Sequence, residues 1–382
     1  MQTSQRLLSL DAFRGLTIAA MILVNNPGSW SHVYAPLKHA EWHGWTPTDL
    51  VFPFFLFIVG VAIKLSLDKY FRTSDSLKPL LWRIGRRTAL LFALGLFLTG
   101  FPEFNLDTWR IPGVLQRIAI CYLFASLIYV ALVHKSRRGV AVSYKPLLAL
   151  TIALLIVYYG LMKFVPVPGY GAGLWDSQDG NLAAYLDRLI FGSHVWAHAK
   201  TWDPEGALST IPALATTLTG VLAGLWLVSD RSRIQKFRGM LTVGVLSAVL
   251  GHVLHVVLMP INKNIWSSSF VILTTGLALV LLSLFYGYAD VKKHRRGLTP
   301  FLMFGSNAIT VYFLSSLGAS LMWMIRFPFR GDAISAKGFI YSELLQPLLG
   351  NSLASLAYAL LYVLFWLAVM SVLYKKRIFI KV

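Results

Sequence analysis

The stretch TDLVFPFFLFIVGVAIKLSL, residues 48–67, carries two charged side chains, Asp49 near its start and Lys64 near its end. A helix needs about 20 mainly apolar residues to cross a bilayer, and this stretch has that length. It therefore predicts a transmembrane helix. Asp49 would cap that helix or lie in its first turn, where a negative charge is favourable.

The composition of the whole chain extends this interpretation. Of the 382 residues, 56% are hydrophobic and 13% are charged, and the mean hydropathy is +0.63. A soluble domain could not bury that much apolar surface, so the sequence predicts an all-α polytopic membrane protein. About ten transmembrane helices are expected, the other nine near residues 13–30, 84–101, 113–133, 146–165, 207–229, 239–259, 268–289, 299–325 and 351–374. We expect residues 1–382 to form a single transmembrane domain.

The first apolar run and the cysteine content narrow the class of protein. The first apolar run is short enough to imitate a signal peptide, but NNPGSW follows it without a small-residue cleavage site, so we expect the helix to be retained. Cys121 is the single cysteine. It cannot form a disulfide within one chain, and a cysteine-rich metal cluster is excluded.

The formal net charge of +19 is explained mainly by topology. Basic residues favour cytoplasmic connections, and 24 of the 35 Lys and Arg residues fall in connections on one side of the predicted helices. Both termini belong to that side, so we predict that both are cytoplasmic. Nucleic acid is not needed to explain the charge. Binding of anionic lipid or of a cytoplasmic anionic ligand remains a secondary role for these basic residues.

This orientation places the chemically dense connections outside. They are LKHAEWHGWTP (37–47), RIPGVLQR (110–117), WDPEG (202–206) and PINKNIWSSS (260–269), together with a segment of about forty residues from 163 to 206. Long connections without a helical pattern are uncommon unless they are functional.

His39 and His43 are four residues apart in the first of these connections. On a helix they would share a face. A metal site is disfavoured, because the order H-E-x-x-H is absent and Gly44 and Pro47 oppose a long helix. Aromatic side chains around the two histidines are typical of a membrane interface.

Other polar residues lie near the ends of apolar runs, where two interpretations are open. Asp11 and Arg14 form either an interfacial ion pair or part of a functional site. Asn25 and Asn26 end the first run, and a buried amide there either caps the helix or donates to a substrate oxygen. Arg117 is expected to be drawn into the bundle, while His252 and His255 are expected to pack near the outer end of their helix.

Five stretches together carry a family resemblance. LLSLDAFRGLTIAAMILVN (7–25), LKHAEWHGWTPTDLVFPFFLFIVG (37–60), RIPGVLQRIAICY (110–122), WDPEG (202–206) and PINKNIWSSSFV (260–271) resemble, in order, the signature blocks of heparan-alpha-glucosaminide N-acetyltransferase and its bacterial relatives. The tail VLYKKRIFIKV (372–382) is similar as well. The resemblance fits a bacterial member without the luminal domain, in the cytoplasmic (inner) membrane.

The resemblance implies an acetyltransferase that takes acetyl-CoA from the cytoplasm and acetylates the amine of a glucosamine unit on the other side of the membrane. His39 then occupies the position of the catalytic histidine, and Asn25 that of the asparagine beside it. A neutral imidazole suits deprotonation of an amine, and an amide N–H could stabilise the oxyanion formed from the thioester. Membrane lipids and a second copy of the chain are the expected partners, and no metal is implied.

Two mechanisms remain open at this stage. His39 is either acetylated and passes the acetyl group on, or it acts as a base while amine and thioester react directly. We expect direct transfer. For the phosphates of CoA the candidates are Arg83, Arg86 and Arg87. For the sugar and its amine they are Arg117, Asp203, Glu205, Asn262, Lys263, Asn264 and Trp266.

Two other functions compete with this prediction. The first is O-acylation of a cell-wall glycan, which keeps the enzyme and changes the acceptor. The second is sugar transport, which ten helices would suit, although the sequence has no paired half-repeats with broken helices at matching places.

Overall fold

The computed structural model of the chain describes residues 7–74, 76–136 and 139–380. These residues are mostly helical. The long helices are α1 (Leu8–Asn25), α2 (Val51–Phe71), α3 (Leu77–Gly100), α4 (Val114–Leu132), α5 (Tyr144–Phe164), α7 (Thr210–Leu227), α8 (Arg233–Val257), α9 (Ser268–Tyr286), α11 (Ala308–Met324) and α14 (Asn351–Lys375). The shorter ones are α6 (Leu182–Phe191), α10 (Thr299–Ser306), α12 (Ala336–Gly338) and α13 (Gln346–Leu349).

In the ranges that the structure describes, the named strands form two antiparallel hairpins. One pairs β1 (Val133–Ser136) with β2 (Gly139–Val142), and the other pairs β3 (Arg326–Phe329) with β4 (Asp332–Ser335). Each hairpin follows directly on a long helix. Four basic residues counted on the predicted cytoplasmic side, Arg6, Arg137, Arg138 and Lys381, lie outside the described residues.

The predicted all-α membrane architecture is confirmed. In the described part of the chain, eight helices are long and apolar enough to cross a membrane, and the bent pair α10–α11 would make nine. The remaining predicted span, residues 84–101, falls in α3, which is helical but is not among the helices apolar enough to cross a membrane. The N-terminal half of α3 carries four basic residues, Lys78, Arg83, Arg86 and Arg87.

The span predicted as one helix over residues 299–325 is broken. Helices α10 and α11 meet at Asn307 with an angle of 84°. The buried Asn307 side chain donates to the carbonyl of Ile378 (3.0 Å) and accepts from the N–H of Ile380 (2.8 Å). The backbone of the C-terminal segment thereby satisfies the side-chain amide at the break. This pairing explains how the chain can bend at Asn307, a residue that is neither Gly nor Pro.

The chain divides into two compact units. The first unit comprises the described residues of 1–39, 46–51 and 288–382, and the second comprises 40–45 and 52–287. The single transmembrane domain predicted for residues 1–382 stays a prediction.

Helix α1 is the centre of the first unit and packs against α10, α11 and α14. Glycine allows the closest of these approaches. A Cβ on Gly15 would lie 1.7 Å from the carbonyl oxygen of Phe301, and one on Gly305 would lie 2.1 Å from that of Asp11. The predicted ion pair is present in the same helix, with Arg14 Nη1 3.1 Å from Asp11 Oδ1.

In the second unit, α2 and α7 also meet backbone to backbone. A Cβ on Gly60 would lie 1.9 Å from the carbonyl oxygen of Thr217, and one on Gly220 would lie 2.0 Å from that of Phe57. Small residues are typical of close helix contacts in membranes, because lipid offers helices no hydrophobic reason to associate and van der Waals packing must hold them together.

The segment 163–206 contains a helix that its sequence pattern did not indicate. Helix α6 begins after Asn181, whose side-chain oxygen accepts from the N–H of Ala184 at 2.9 Å. Ten residues are too few for a stable isolated helix, so α6 depends on this cap and on the burial of Leu182, Ala183 and Ala184.

We predict that Gly60→Ala destabilises the second unit. The methyl group would have to displace the α7 backbone, and overpacking of this kind costs about 1–3 kcal/mol. The matched control is Gly85→Ala in α3, where an added Cβ meets nothing within 4 Å. Melting temperatures of the purified variants should fall for Gly60→Ala and stay level or rise for Gly85→Ala. Equal melting temperatures would contradict the close contact.

Candidate active site

His39 and Asp49 form a hydrogen-bonded pair in the first unit. Nδ1 of His39 lies 2.6 Å from Oδ1 of Asp49. The Asp49 side chain is 1% exposed and that of His39 is 44% exposed. The pair thus combines a buried carboxylate with an imidazole that reaches the surface.

A short 3₁₀ turn, Pro47–Leu50, fixes the position of Asp49. Its second oxygen, Oδ2, accepts from the backbone N–H of Thr46 (2.9 Å) and from the Thr46 hydroxyl (3.2 Å). The predicted capping role of Asp49 is therefore confirmed, and the sequence interpretation missed its contact with His39. The sequence carried one signal for that contact, which is that Asp49 lies only ten residues after His39.

The connection before this turn is fastened to it. The hydroxyl of Thr46 lies 2.6 Å from the carbonyl oxygen of Lys38, and that of Thr48 donates to the carbonyl of Pro36 at 3.2 Å. These contacts hold the backbone next to His39 against the first turn of α2. The imidazole is consequently positioned by its neighbours on the chain as well as by the carboxylate.

The chemistry of the pair follows from the tautomer that the carboxylate selects. An ionised Asp49 can only accept, so Nδ1 of His39 carries the proton and Nε2 is the basic nitrogen. A carboxylate in this position also stabilises the imidazolium that forms when Nε2 takes a proton. The arrangement suits a general base.

Asn25 and Asn26 differ in environment at the end of α1. Asn26 is buried, and its amide donates to the carbonyl of Ile22 at 2.7 Å, so it satisfies the helix end. Asn25 is the last residue of α1 and is exposed. Of the two amides, Asn25 is the one that a substrate could reach.

His43 belongs to the second unit, although it lies four residues after His39. Its Nε2 lies 2.8 Å from Oδ1 of Asp176, and its Nδ1 lies 3.4 Å from the amide nitrogen of Asn262. Trp42 beside it donates its indole N–H to the carbonyl of Trp175 (2.9 Å). Within the described ranges, no group of three or more His, Cys, Asp and Glu side chains could hold a metal ion.

The stretch PINKNIWSSS forms a tight turn in the second unit. Asn262 is buried, and its side-chain oxygen accepts from the N–H of Ile265 at 3.1 Å. Trp266 is fully buried and donates to the hydroxyl of Thr216 at 3.1 Å. Lys263 and Asn264 are partly exposed. The roles predicted for these four residues toward a sugar stay predictions, and Lys263 and Asn264 are the accessible ones.

The predicted acceptor acids are bound by Arg110. Its guanidinium donates to both oxygens of Asp203 (2.8 and 2.6 Å) and to Oε2 of Glu205 (2.6 Å). Burial alone would lower the pKa of Arg110, but the hydrogen bond to Asp203 and the charges of Glu205 and Asp203 outweigh it and raise that pKa. One arginine therefore neutralises much of the charge of two carboxylates.

Arg117 lies inside the second unit, as predicted, with 1% of its surface exposed. It donates to the carbonyl of Gly206 (3.0 Å) and to the hydroxyl of Ser209, and its guanidinium stacks 5.2 Å from the centre of the Trp266 ring. Among the described residues, its Nε and Nη1 have no hydrogen-bond partner.

The three predicted CoA arginines lie along the first half of α3. Arg83 stacks on Tyr70 at 5.2 Å and Arg87 on Tyr122 at 4.7 Å, measured from the guanidinium carbon to the ring centre. Arg86 is exposed, as is Arg83. All three belong to the second unit, and their role toward CoA stays a prediction.

Asp187, which the sequence did not single out, supports the WDPEG connection. Its two oxygens accept from the N–H groups of Asp203 (3.0 Å) and Ala207 (2.9 Å). Burial raises the pKa of Asp187 to about 6, although these two hydrogen bonds act to lower it.

The raised pKa of Asp187 predicts a pH-dependent stability. The folded state binds the proton more tightly than the unfolded state, so this stabilisation is complete below about pH 4 and is lost as the pH rises through about 6. The loss amounts to up to about 3 kcal/mol. In melting curves between pH 4.5 and 7, Asp187→Asn should flatten part of the decline seen in the wild type. Asp107→Asn, at an exposed carboxylate, should leave the slope unchanged.

Comparisons with known proteins agree with the motifs. A family model described as a domain of unknown function (DUF5009) matches residues 6–201. The chain is 31% identical to mouse (Mus musculus) heparan-alpha-glucosaminide N-acetyltransferase, over 427 residues that cover 100% of the chain and 61% of the relative. It is 32% identical to the human (Homo sapiens) protein of the same name, over 351 residues that cover 80% of the chain and 52% of the relative.

The chain thus spans between about half and three fifths of the length of these relatives. The region matched by the family model contains His39 and Asp49, which form the pair in the first unit. It also contains Arg110 and Arg117, the two arginines beside the WDPEG connection in the second unit. The similarity to the mouse and human heparan-alpha-glucosaminide N-acetyltransferases agrees with the resemblance predicted from the motifs. The family model covers half of the chain, and the chain therefore belongs to the DUF5009 family.

Proposed function

We propose that this protein is a transmembrane acetyltransferase that moves the acetyl group of acetyl-CoA to the amine of a glucosamine-type sugar. The observation that carries the proposal is the pair of His39 and Asp49, a surface imidazole held in one tautomer by a buried carboxylate. The names of the mammalian relatives supply the substrate class. The alternatives of O-acylation and transport are outcomes of the experiments below.

In the proposed reaction the sugar ammonium first gives a proton to Nε2 of His39. The neutral amine then attacks the carbonyl carbon of the thioester, forming a C–N bond and a tetrahedral oxyanion. When the carbonyl re-forms, the C–S bond breaks, the nitrogen gives its second proton to the departing thiolate of CoA, and the imidazolium of His39 returns the first proton to solvent. Asp49 is a positioning residue, because it orients His39 and stabilises its imidazolium form.

Asn25 is proposed to donate its amide N–H to the oxyanion. Removing one such donor typically raises the barrier by about 3–4 kcal/mol. The exposure of Asn25 supports this role, since the amide of Asn26 is already occupied by the carbonyl of Ile22. We keep direct transfer as the mechanism, with His39 as base and no acetyl-histidine intermediate.

The sidedness of the reaction rests on the distribution of basic residues. With both termini cytoplasmic, Arg83, Arg86 and Arg87 face the side on which acetyl-CoA is made, and the connection containing His39 faces the opposite side. The phosphates of CoA would then bind Arg83 and Arg86, which are exposed, whereas Arg87 is partly buried. The protein would reside in the cytoplasmic membrane of a bacterium among anionic lipids, as a homodimer.

On the acceptor side, Glu205 is the better candidate for the sugar amine. Asp203 has no exposed side-chain surface, and both of its oxygens accept from Arg110. Glu205 retains some exposure and accepts from Arg110 through Oε2. Lys263 and Asn264 are the accessible candidates for sugar hydroxyls.

Transfer should depend on both members of the pair. With labelled acetyl-CoA and glucosamine, we expect His39→Ala to abolish label transfer, and Asp49→Asn to lower kcat by about 10²-fold or more because the wrong tautomer is favoured. The Kd for acetyl-CoA and the melting temperature of both variants should match those of the wild type, which would exclude a loss of folding as the cause. His198→Ala, at an exposed histidine, is the matched control.

The same assay separates the alternatives. Labelled His39 trapped without acceptor would overturn direct transfer. Label on a glycan hydroxyl and not on an amine would favour O-acylation. Uptake of glucosamine into vesicles without acetyl-CoA would identify a transporter and contradict the proposal.

The donor site is tested by Arg83→Ala combined with Arg86→Ala. Loss of two charge-assisted contacts to phosphate should raise the KM for acetyl-CoA at least tenfold while leaving the KM for glucosamine unchanged. Replacing Arg231 and Arg233 with alanine, in the connection before α8, serves as the control for loss of positive charge. An unchanged KM in the α3 variant would contradict this site.

A further inference from the structure

A cavity of about 430 Å³ lies within the second unit. Its walls come from α3, α4 and α7, from Phe191 at the end of α6, and from the WDPEG connection. Cavities of a few hundred cubic ångströms with apolar walls and a few polar groups are typical ligand sites. Glu205, proposed above for the sugar amine, is one of its lining residues.

The polar groups of the cavity are gathered at one end. Arg117, Gln116 and Glu205 line it there. Among the described residues, two buried nitrogen atoms of Arg117, Nε and Nη1, and the buried side-chain oxygen of Gln116 have no hydrogen-bond partner. Leaving such groups unpaired costs about 1–3 kcal/mol each, so a polar ligand that reached them would gain both donors and an acceptor.

The rest of the cavity is apolar and extends along a membrane-spanning helix. Phe124 lies ten residues after Val114, where α4 begins, which corresponds to about 15 Å along the helix axis. Phe124 is 50% exposed, and Phe92 of α3 faces the same cavity. Because α4 is apolar enough to span the bilayer, the exposed ring of Phe124 faces lipid chains.

The charges at the polar end favour a ligand with an amine over an anion. Arg110 already neutralises part of the charge of Asp203 and Glu205, and the charges of Glu205, Asp203 and Asp187 all act on the buried Arg117. Counting these five side chains as ionised leaves one negative charge in excess. An ammonium group would restore neutrality, whereas a phosphate or carboxylate would add to the excess.

We propose that this cavity binds a membrane amphiphile, with an amino sugar at Arg117, Gln116 and Glu205 and a hydrocarbon chain between Phe92 and Phe124. The acceptor of the acetyl group is then a lipid-linked glucosamine that approaches from the bilayer. This assignment of the acceptor class rests on the proposed transferase function, whereas the binding of the amphiphile does not.

Binding is measured first, with full-length protein in nanodiscs and no acetyl-CoA present. The probe is octyl glucosaminide. Glucosamine lacks its chain, and octyl glucoside lacks its amine. Ala207→Phe fills the cavity from the connection before α7, with Ile120→Trp as a second filling variant in case the first does not fold. Val249→Phe, on a lipid-exposed face of α8, is the matched control.

We expect octyl glucosaminide to bind at least tenfold more tightly to the wild type and to Val249→Phe than to either filled variant. Chain partitioning into the bilayer is the same for all four proteins and cancels in this comparison. Equal binding in wild type and filled variants would overturn the cavity as the binding site. Equal binding of octyl glucoside would overturn the recognition of an amine.

Acetylation is measured separately. In the wild type, octyl glucosaminide should have a KM at least tenfold lower than glucosamine, and Ala207→Phe should remove most of this advantage. If octyl glucosaminide binds in the cavity but neither it nor glucosamine is acetylated, the transferase proposal fails and the amphiphile site stands. If both sugars are acetylated with equal KM, the lipid-linked acceptor is wrong and the transferase stands.

Discussion

The absence of hydrogen-bonding partners in the hydrocarbon core is the constraint on which this structure depends. A polar group that enters a span destabilises the protein unless it finds a partner inside it. Lys64 illustrates the rule in α2, because its ammonium pairs with Asp68 one turn later and with the hydroxyl of Tyr129 in α4. Tyr129 in turn donates to Asp68, so three buried polar side chains satisfy one another.

The same constraint explains where the chain can depart from regular helix. At Asn307 the ladder of α10 and α11 is interrupted, and the side chain of that residue pairs with the backbone of the C-terminal segment. The helices themselves are held together by backbone contact at glycines, as at Gly60 and Gly220 between α2 and α7. Such contacts leave little room for functional side chains within the packed spans.

The candidate functional side chains therefore lie in the connections and just inside the helix ends. His39 reaches the surface because its partner Asp49 is buried at the start of α2 and can hold it there. Arg117 enters α4 by one turn, and its charge is shared among Trp266, Gly206 and Ser209. The two units each carry one of these sites, and the two histidines of LKHAEWHGWTP are divided between them.

The sequence by itself determined the class of fold, the approximate positions of most long helices, the capping role of Asp49 and the burial of Arg117. These follow from local hydropathy, helix-end chemistry and the cost of exposing charge to lipid, which are properties of short stretches. Its motifs also predicted the family to which the chain belongs. Such properties can be read without knowing which residues become neighbours.

Only the tertiary structure decided that Asp49 contacts His39, that Arg110 occupies both Asp203 and Glu205, and that Arg117 faces a cavity. Arg110 is 93 residues from Asp203, and Asn307 is 71 residues from Ile378. Pairings across such distances depend on how helices pack, and the periodicity of a single segment contains no information about the face that its neighbour presents. Unpaired N–H groups can be recognised only after every other hydrogen bond has been located.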